Sequence, residues 1–401
     1  MSPRSASLSH YFANAGHLVT HLMMLLYPTV VLALEGRFGL SYGELIALSL
    51  PGTFLYGVAA LPAGWLGDRW SAERMMVLFY VGSGAASIAT GLAAGPVGLA
   101  VGLALIGTFG AIYHPVGLAW LVRNAENRGR ALGLNGLFGS IGVGSASFVA
   151  AALTELAGWR AAFIVPGIVC FMHGVALWLA VRAGLVKAAR TDRRPEPDPG
   201  RADAVRAFVV LSVTMLCAGL VWQVLTVALP KLFEQRLQDL TGGSTLGVGT
   251  LVTLVFASSA ATQLLGGWAA DRFPLKRVYV LAWACQIPML LILVRATELP
   301  LFAASSVVFC LMVIAAPVEN SLLVRYTPGR WRATAFGAKF VLSLGVAALG
   351  VPLVAVVHER TGDFAWLFVT LAALAAVIVA AGLCLPRHDA RALRAVAAPA
   401  E

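Results

Sequence analysis

Gly64-Trp65-Leu66-Gly67-Asp68-Arg69-Trp70 returns almost letter for letter as Gly267-Trp268-Ala269-Ala270-Asp271-Arg272-Phe273, 203 positions later. A chain that repeats itself at this distance is built from two copies of one unit. A shift of 202 extends the match: Pro28 falls on Pro230, Pro115-Val116 on Pro317-Val318, and Arg123, Arg128 and Arg130 on Arg325, Arg330 and Arg332.

The repeated unit belongs in a membrane. Apolar residues make up 59% of the chain and charged ones 12%, against roughly 25% charged in soluble domains. Apolar runs that can cross the hydrocarbon as helix, roughly 20 residues each, occur at 12–34, 44–66, 75–94, 97–122, 131–156, 161–181, 207–229, 246–270, 278–294, 300–324, 334–357 and 365–385. They predict an all-α membrane protein of twelve transmembrane helices in two pseudo-symmetric six-helix halves, 1–181 and 207–386. A linker, 182–206, joins the halves, and 387–401 forms a tail. With seven basic residues and Pro195, Pro197 and Pro199, the linker reads as a solvated connector.

Lys and Arg placement orients the chain. The amino terminus, the loops after even-numbered spans and the tail hold 22 of these residues, and the opposite loops hold six. Both termini are therefore expected in the cytoplasm, beneath a bacterial-type inner membrane. The net charge of +10 is mostly this bias, so nucleic acid is not an expected partner. The polar lead from Met1 to His10 passes into a span too long for a cleavable signal. Cys170, Cys217, Cys285, Cys310 and Cys384 fall in the spans without close pairing and read as small buried apolar residues.

The loop Gly64-x-x-x-Asp68-Arg69 resembles the G-x-L-A-D-R-x-G-R-[KR] signature of the major facilitator superfamily, with Asp271-Arg272, Lys276 and Arg277 as its second copy. Ser71 and Glu73 stand where a glycine and a base are usual. Gly16-His17-Leu18-Val19-Thr20-His21 before Tyr27-Pro28, and Tyr113-His114-Pro115-Val116, are similar to the S-H-x-x-x-D and [FY]-H-P-[EA] segments of the fosmidomycin-resistance branch. His21 and Val116 occupy that branch's acid positions. The resemblance implies the major facilitator fold, with spans 1, 4, 7 and 10 lining a central cavity, spans 2, 5, 8 and 11 flanking it, and the others outside. It also implies a monomer, and gating roles for Asp68, Arg69, Asp271 and Arg272 in contact with Arg128, Arg130, Arg330 and Arg332.

Ionisable side chains are costly in a bilayer and face a protein interior or a water-filled path. In the predicted spans they are His17, His21, His114, His173, Glu319 and Lys339, with the amides Asn14, Asn135, Gln223, Gln263, Gln286 and Asn320. The cavity rule implied by the resemblance keeps His17, His21, His114, Asn135, Gln223, Glu319, Asn320 and Lys339 as substrate- and proton-binding candidates. It leaves His173 and Gln286 as structural residues. His17 and His21, four apart, share a helix face. At about 1.5 Å per residue they lie roughly 8 and 14 Å deep, with His114 about 12 Å from the same membrane face, so the three can meet. An unperturbed imidazole titrates near pH 6.5 and can load a proton; the plainer alternative is a neutral histidine bonded to a backbone carbonyl. Glu319 and Lys339 share a depth of about 8 Å, which permits an ion pair. Gly133, Gly136, Gly139 and Gly142 form a stripe suited to close helix packing.

His17, His21 and Met24, at i, i+4 and i+7, offer a copper-type alternative, although Met is also a common apolar filler. No cofactor or resident metal is expected. No G-x-x-x-x-G-K-[ST] loop is present for a nucleotide, and no nucleophile and base pair at a membrane face, so an enzyme is not expected. The expectation is a secondary transporter working by alternating access, with proton-coupled efflux of a drug or metabolite. Its partners are the small molecule, protons and the lipid bilayer. The alternatives are an importer of a metabolite or metal ion, and a non-transporting membrane sensor or assembly factor.

Overall fold

The computed structural model describes residues 3–125, 128–186, 200–327 and 332–386, without the side chains of 3–6, Asp68, 128–130, 332–334 and Phe336. Among the described residues, eleven helices are long and apolar enough to cross a membrane. They are α1 (Ser7–Ala33), α2 (Tyr42–Gly67), α4 (Pro96–Asn124), α5 (Ala131–Ala157), α6 (Ala161–Arg182), α7 (Arg201–Arg236), α8 (Thr245–Arg272), α9 (Leu275–Leu293), α10 (Glu298–Tyr326), α11 (Gly337–Thr361) and α12 (Ala365–Leu383). The expected third span is also a helix, α3 (Ala72–Gly91), but Glu73, Arg74, Ser83, Ser87 and three glycines dilute its apolarity. Each of the twelve expected apolar runs thus lies on a helix, in an all-α membrane protein.

Local chemistry sets the helix ends and breaks. Ser41 and Glu44 close a capping box at the start of α2, Ser71 accepts from the Arg74 N–H at the start of α3, and Gly362, at φ 66°, ends α11 in a left-handed turn. Proline has no N–H to continue a helix. At Pro28 the α1 helix stops at Leu25 and restarts at Tyr27, and around Pro115 the chain of α4 widens into a π-helical turn, Tyr113–Gly117. Their counterparts Pro230 and Pro317 sit inside continuous helices, so the two halves are equivalent in sequence but not in backbone.

The duplication survives as contacts. A Cβ on Gly64 would lie 3.1 Å from Pro115 Cβ, and one on Gly266 would lie 2.9 Å from Pro317 Cγ. Arg69 stacks over Trp65 and Arg272 over Trp268, at 4.2 and 5.1 Å from the ring centres. Both pairs sit on the outside of the bundle, where an amphipathic side chain meets a membrane interface.

Within the halves α1 packs on α5, α3 on α6, α8 and α9 on α10, and α9 on α12; α5 with α8 and α2 with α11 join the halves. The outer surface exposes large apolar side chains such as Leu92, Val97, Leu156, Leu264, Leu281 and Trp366, as a lipid-facing surface requires. The cysteines correct the sequence reading: Cys170 and Cys217 are buried, Cys310 is half-buried, and Cys285 and Cys384 are exposed. All five are free.

Candidate functional site

A cavity of about 380 Å³ lies between the two halves. His17, His21, His114, Gly139 and Ser140 line it from the first half, and Trp222, Gln263, Glu319, Asn320, Lys339 and Phe340 are among its walls in the second.

The histidine wall is assembled from α1 and α4. His21 and His17 face each other Nε2 to Nε2 at 3.2 Å, and the His114 ring centre is 5.5 Å from that of His17 and 5.3 Å from that of His21. The π-helical turn around Pro115 carries His114, and such turns are frequent at functional sites. His17 Nδ1 donates to the Asn135 carbonyl at 2.8 Å. A carbonyl only accepts, so the His17 proton is on Nδ1 and its Nε2 lone pair points toward His21. Gly139 makes room for this arrangement, since a Cβ there would stand 2.6 Å from the His17 ring.

Asn135 does not line the cavity. It is buried behind His17, where its amide donates to Asn14 Oδ1 at 3.0 Å and to the Tyr113 hydroxyl at 2.8 Å. Its role is therefore to position His17 and tie α1, α4 and α5 together.

On the opposite wall Lys339 Nζ lies 2.8 Å from Glu319 Oε1 and donates to Asn320 Oδ1 at 2.6 Å. The Tyr279 hydroxyl donates to Glu319 Oε2 at 2.7 Å. The ion pair permitted by their matched depth does form, and Tyr279 and Asn320 satisfy the atoms that the pair leaves over.

Gln223 departs from expectation. It is not among the cavity-lining residues; its stem packs at Gly350, where a Cβ would lie 3.2 Å from Gln223 Cγ. One residue step turns a helix by about 100°, and the neighbouring Trp222 takes the wall position. Gln263, a span amide outside the expected candidates, also lines the cavity and accepts from the Ser140 hydroxyl at 3.3 Å across the halves. Met24 packs against the apolar core, so the third group beside His17 and His21 is His114. These three histidines are the one set of His, Cys, Asp and Glu among the described residues placed to hold a metal ion. His173 bonds to the Val169 carbonyl and Tyr11, and Gln286 is buried against the Ala282 carbonyl.

The side chains of Asp68, Arg128, Arg130, Arg330 and Arg332, expected as gating residues, lie outside the described residues. Asp271 is exposed at the end of α8. Lys276 of the second motif donates to the Leu383 and Leu385 carbonyls, both at 2.7 Å, and so secures the end of α12.

On the face away from the termini the halves are joined by polar contacts. Lys231 of α7 bridges Glu35, at 2.6 Å in the first half, and Glu234, at 2.5 Å in its own. The Gly43 N–H donates to Glu359 Oε1 at 3.0 Å and the Leu246 N–H to Glu155 Oε1 at 2.5 Å. The cavity-lining positions fall at the middle and on the terminus side of their helices, and these polar contacts cross between the halves on the opposite side.

Comparison with known proteins agrees with this architecture. The family model for the Major Facilitator Superfamily matches residues 14–241 and 211–400. A bacterial homolog to the human lysosomal transporter Spinster, crystallised inward-facing and occupied, aligns with TM-score 0.73 at 16% identity, covering 96% of this chain and 95% of that one. Its unoccupied inward-facing form gives 0.71 at 15% identity over the same shares. A peptide transporter POT in complex with sulfate gives 0.73 at 16% identity, covering 94% and 93%. The multidrug resistance protein MdtG of Erwinia billingiae (strain Eb661) is 29% identical over 142 residues, 34% of each chain. The match thus spans about a third of the length of that curated relative. Two six-helix halves around a shared cavity, together with a family match over almost the whole chain, make this protein a member of the Major Facilitator Superfamily.

Proposed function

We propose that this protein exports a small anionic or amphipathic compound, a drug or a metabolite, in exchange for protons. The observation that carries this reading is one cavity with an imidazole cluster on one wall and a Glu319–Lys339 pair on the other. Each imidazole has a ring nitrogen that can accept a proton, and Lys339 and Asn320 supply polar anchors for substrate. The similarity to a multidrug resistance protein favours removal over uptake. The His-Pro segments at 17–28 and 113–116 favour a place near the fosmidomycin-resistance branch.

In this reading the rocking bodies are 1–181 and 207–386, linked by 182–206, with 387–401 as a tail. The protein works as a monomer in a bacterial-type inner membrane with both termini cytoplasmic. Asp68, Arg69, Asp271 and Arg272, together with Arg128, Arg130, Arg330 and Arg332, form the terminus-side gate, and the Lys231 bridge is its counterpart across the membrane.

The test is movement of labelled compounds, from a panel of antibiotics and metabolites, in proteoliposomes under an imposed pH gradient. Gradient-dependent movement is expected, and His21→Gln and His114→Gln should each abolish the dependence. Full gradient-driven accumulation in both variants would sink the proposed coupling.

A further inference from the structure

One ring nitrogen from each of His17, His21 and His114 lies within 4.8 Å of the others. Modest rotation of the rings brings three such atoms to the bond length of a metal–imidazole contact, about 2.0–2.1 Å. Two further observations single the cluster out. The His17 Nδ1 contact to the Asn135 carbonyl is the outer contact that fixes the tautomer of a metal-binding imidazole and holds its ring. His114 Nδ1 is buried with no hydrogen-bond partner, a condition that costs free energy until something binds there.

We propose that His17, His21 and His114 bind one divalent transition-metal ion of the zinc, cobalt or nickel class. Three neutral nitrogen donors without a carboxylate fit these ions and do not suit magnesium or calcium. Three protein ligands with a remaining position open to a cavity is the pattern of an exchangeable ion, since closed structural sites use four. The ion's role as cargo rests on the transporter reading above; its binding does not. Cargo takes one of two forms, the bare ion or the ion complexed with a small anion, and the cavity beside the histidines also holds Lys339 and Asn320 for the second.

Full-length protein without a histidine tag, in detergent, is titrated with cobalt(II) chloride and then with zinc chloride. One ion per chain is expected, with a visible cobalt spectrum of a nitrogen-rich four-coordinate site that zinc bleaches. His17→Gln, His21→Gln and His114→Gln should each weaken binding at least about tenfold, whereas His173→Gln should bind as the parent does. X-ray absorption on the zinc-loaded parent protein should count three imidazoles, a measurement that does not depend on any variant folding. Absence of a saturable cobalt spectrum, or equal binding by the triple Gln variant, overturns the site. Liposomes given zinc alone or zinc with citrate separate the cargo forms. Binding without movement of zinc in either arm overturns the cargo role, and the organic-compound assay then still tests export separately.

Discussion

The His114 ring of α4 lies face to face with that of Phe340 in α11, centres 5.1 Å apart and planes inclined by 19°. One ring belongs to each half, so the contact exists only while the halves hold this arrangement. Such pairs contribute about 0.5–1.5 kcal/mol beyond their buried area. A double-mutant cycle of His114→Ala and Phe340→Ala, read by thermal unfolding in detergent, should return a coupling of about 1 kcal/mol. Strictly additive losses would mean that the stacked rings contribute nothing.

Glu319 and Lys339 give a sharper contrast. Removing one partner strands a buried charge, at about 3–5 kcal/mol, whereas removing both is nearly neutral. Glu319→Gln and Lys339→Met should each reduce folded yield, and the double variant should regain it. If Lys339 also holds substrate, transport stays lost in the double variant; recovery of both yield and transport would limit the pair to a structural role.

Much of this was legible in the chain because lipid permits few solutions. Apolar runs must be helices, and ionisable residues among them must face inward, which placed His17, His21, His114, Glu319 and Lys339 at the cavity. The aromatic wall was not legible: Trp222 and Phe340 carry the same apolar signal as the lipid-facing Trp366 and Leu281. Gln223 was misplaced because a rule that picks out the cavity-lining spans fixes the helix without fixing rotation about it, and Trp222 holds the wall position instead. The break at Pro28 against the continuous helix through Pro230 shows how the copies diverged.

The adjacent Gly266 and Gly267 should respond in opposite ways. A Cβ on Gly266 would stand 2.5 Å from the Ile314 carbonyl oxygen, whereas one on Gly267 meets nothing within 4 Å. Gly266→Ala is expected to lower the unfolding temperature, because backbone must move. Gly267→Ala should leave it equal or raise it, alanine being favoured in helix by up to about 1 kcal/mol. Equal losses in thermal unfolding would contradict this packing of α8 on α10.

Asp363, in the loop before α12, sits outside the membrane helices. Burial raises its carboxyl, but hydrogen bonds from Arg236 and the Phe364 N–H, with the charges of Arg236 and Arg295, outweigh that and hold it below its ordinary value. A carboxyl depressed by folding stabilises the protein above its unfolded pKa of 3.8. That contribution fades as pH falls through the lower folded value. Asp363→Asn should therefore lower stability at pH 7, by no more than about 1 kcal/mol for a pair this exposed. The difference from the parent should close below about pH 4. A gap that widens on acidification would reverse the assignment.

Gly57 of α2 and Gly345 of α11 meet so closely that a Cβ on Gly57 would fall 2.0 Å from the Gly345 nitrogen. On the other seam Gly249 of α8 lies against the Ser147 carbonyl of α5, 2.6 Å from where its Cβ would be. At both of these points backbone of one half bears closely on backbone of the other. Whatever turn the proposed cycle demands of the halves has to pass through these two points, and a methyl group added at either one, having no space of its own, would act as a wedge between them.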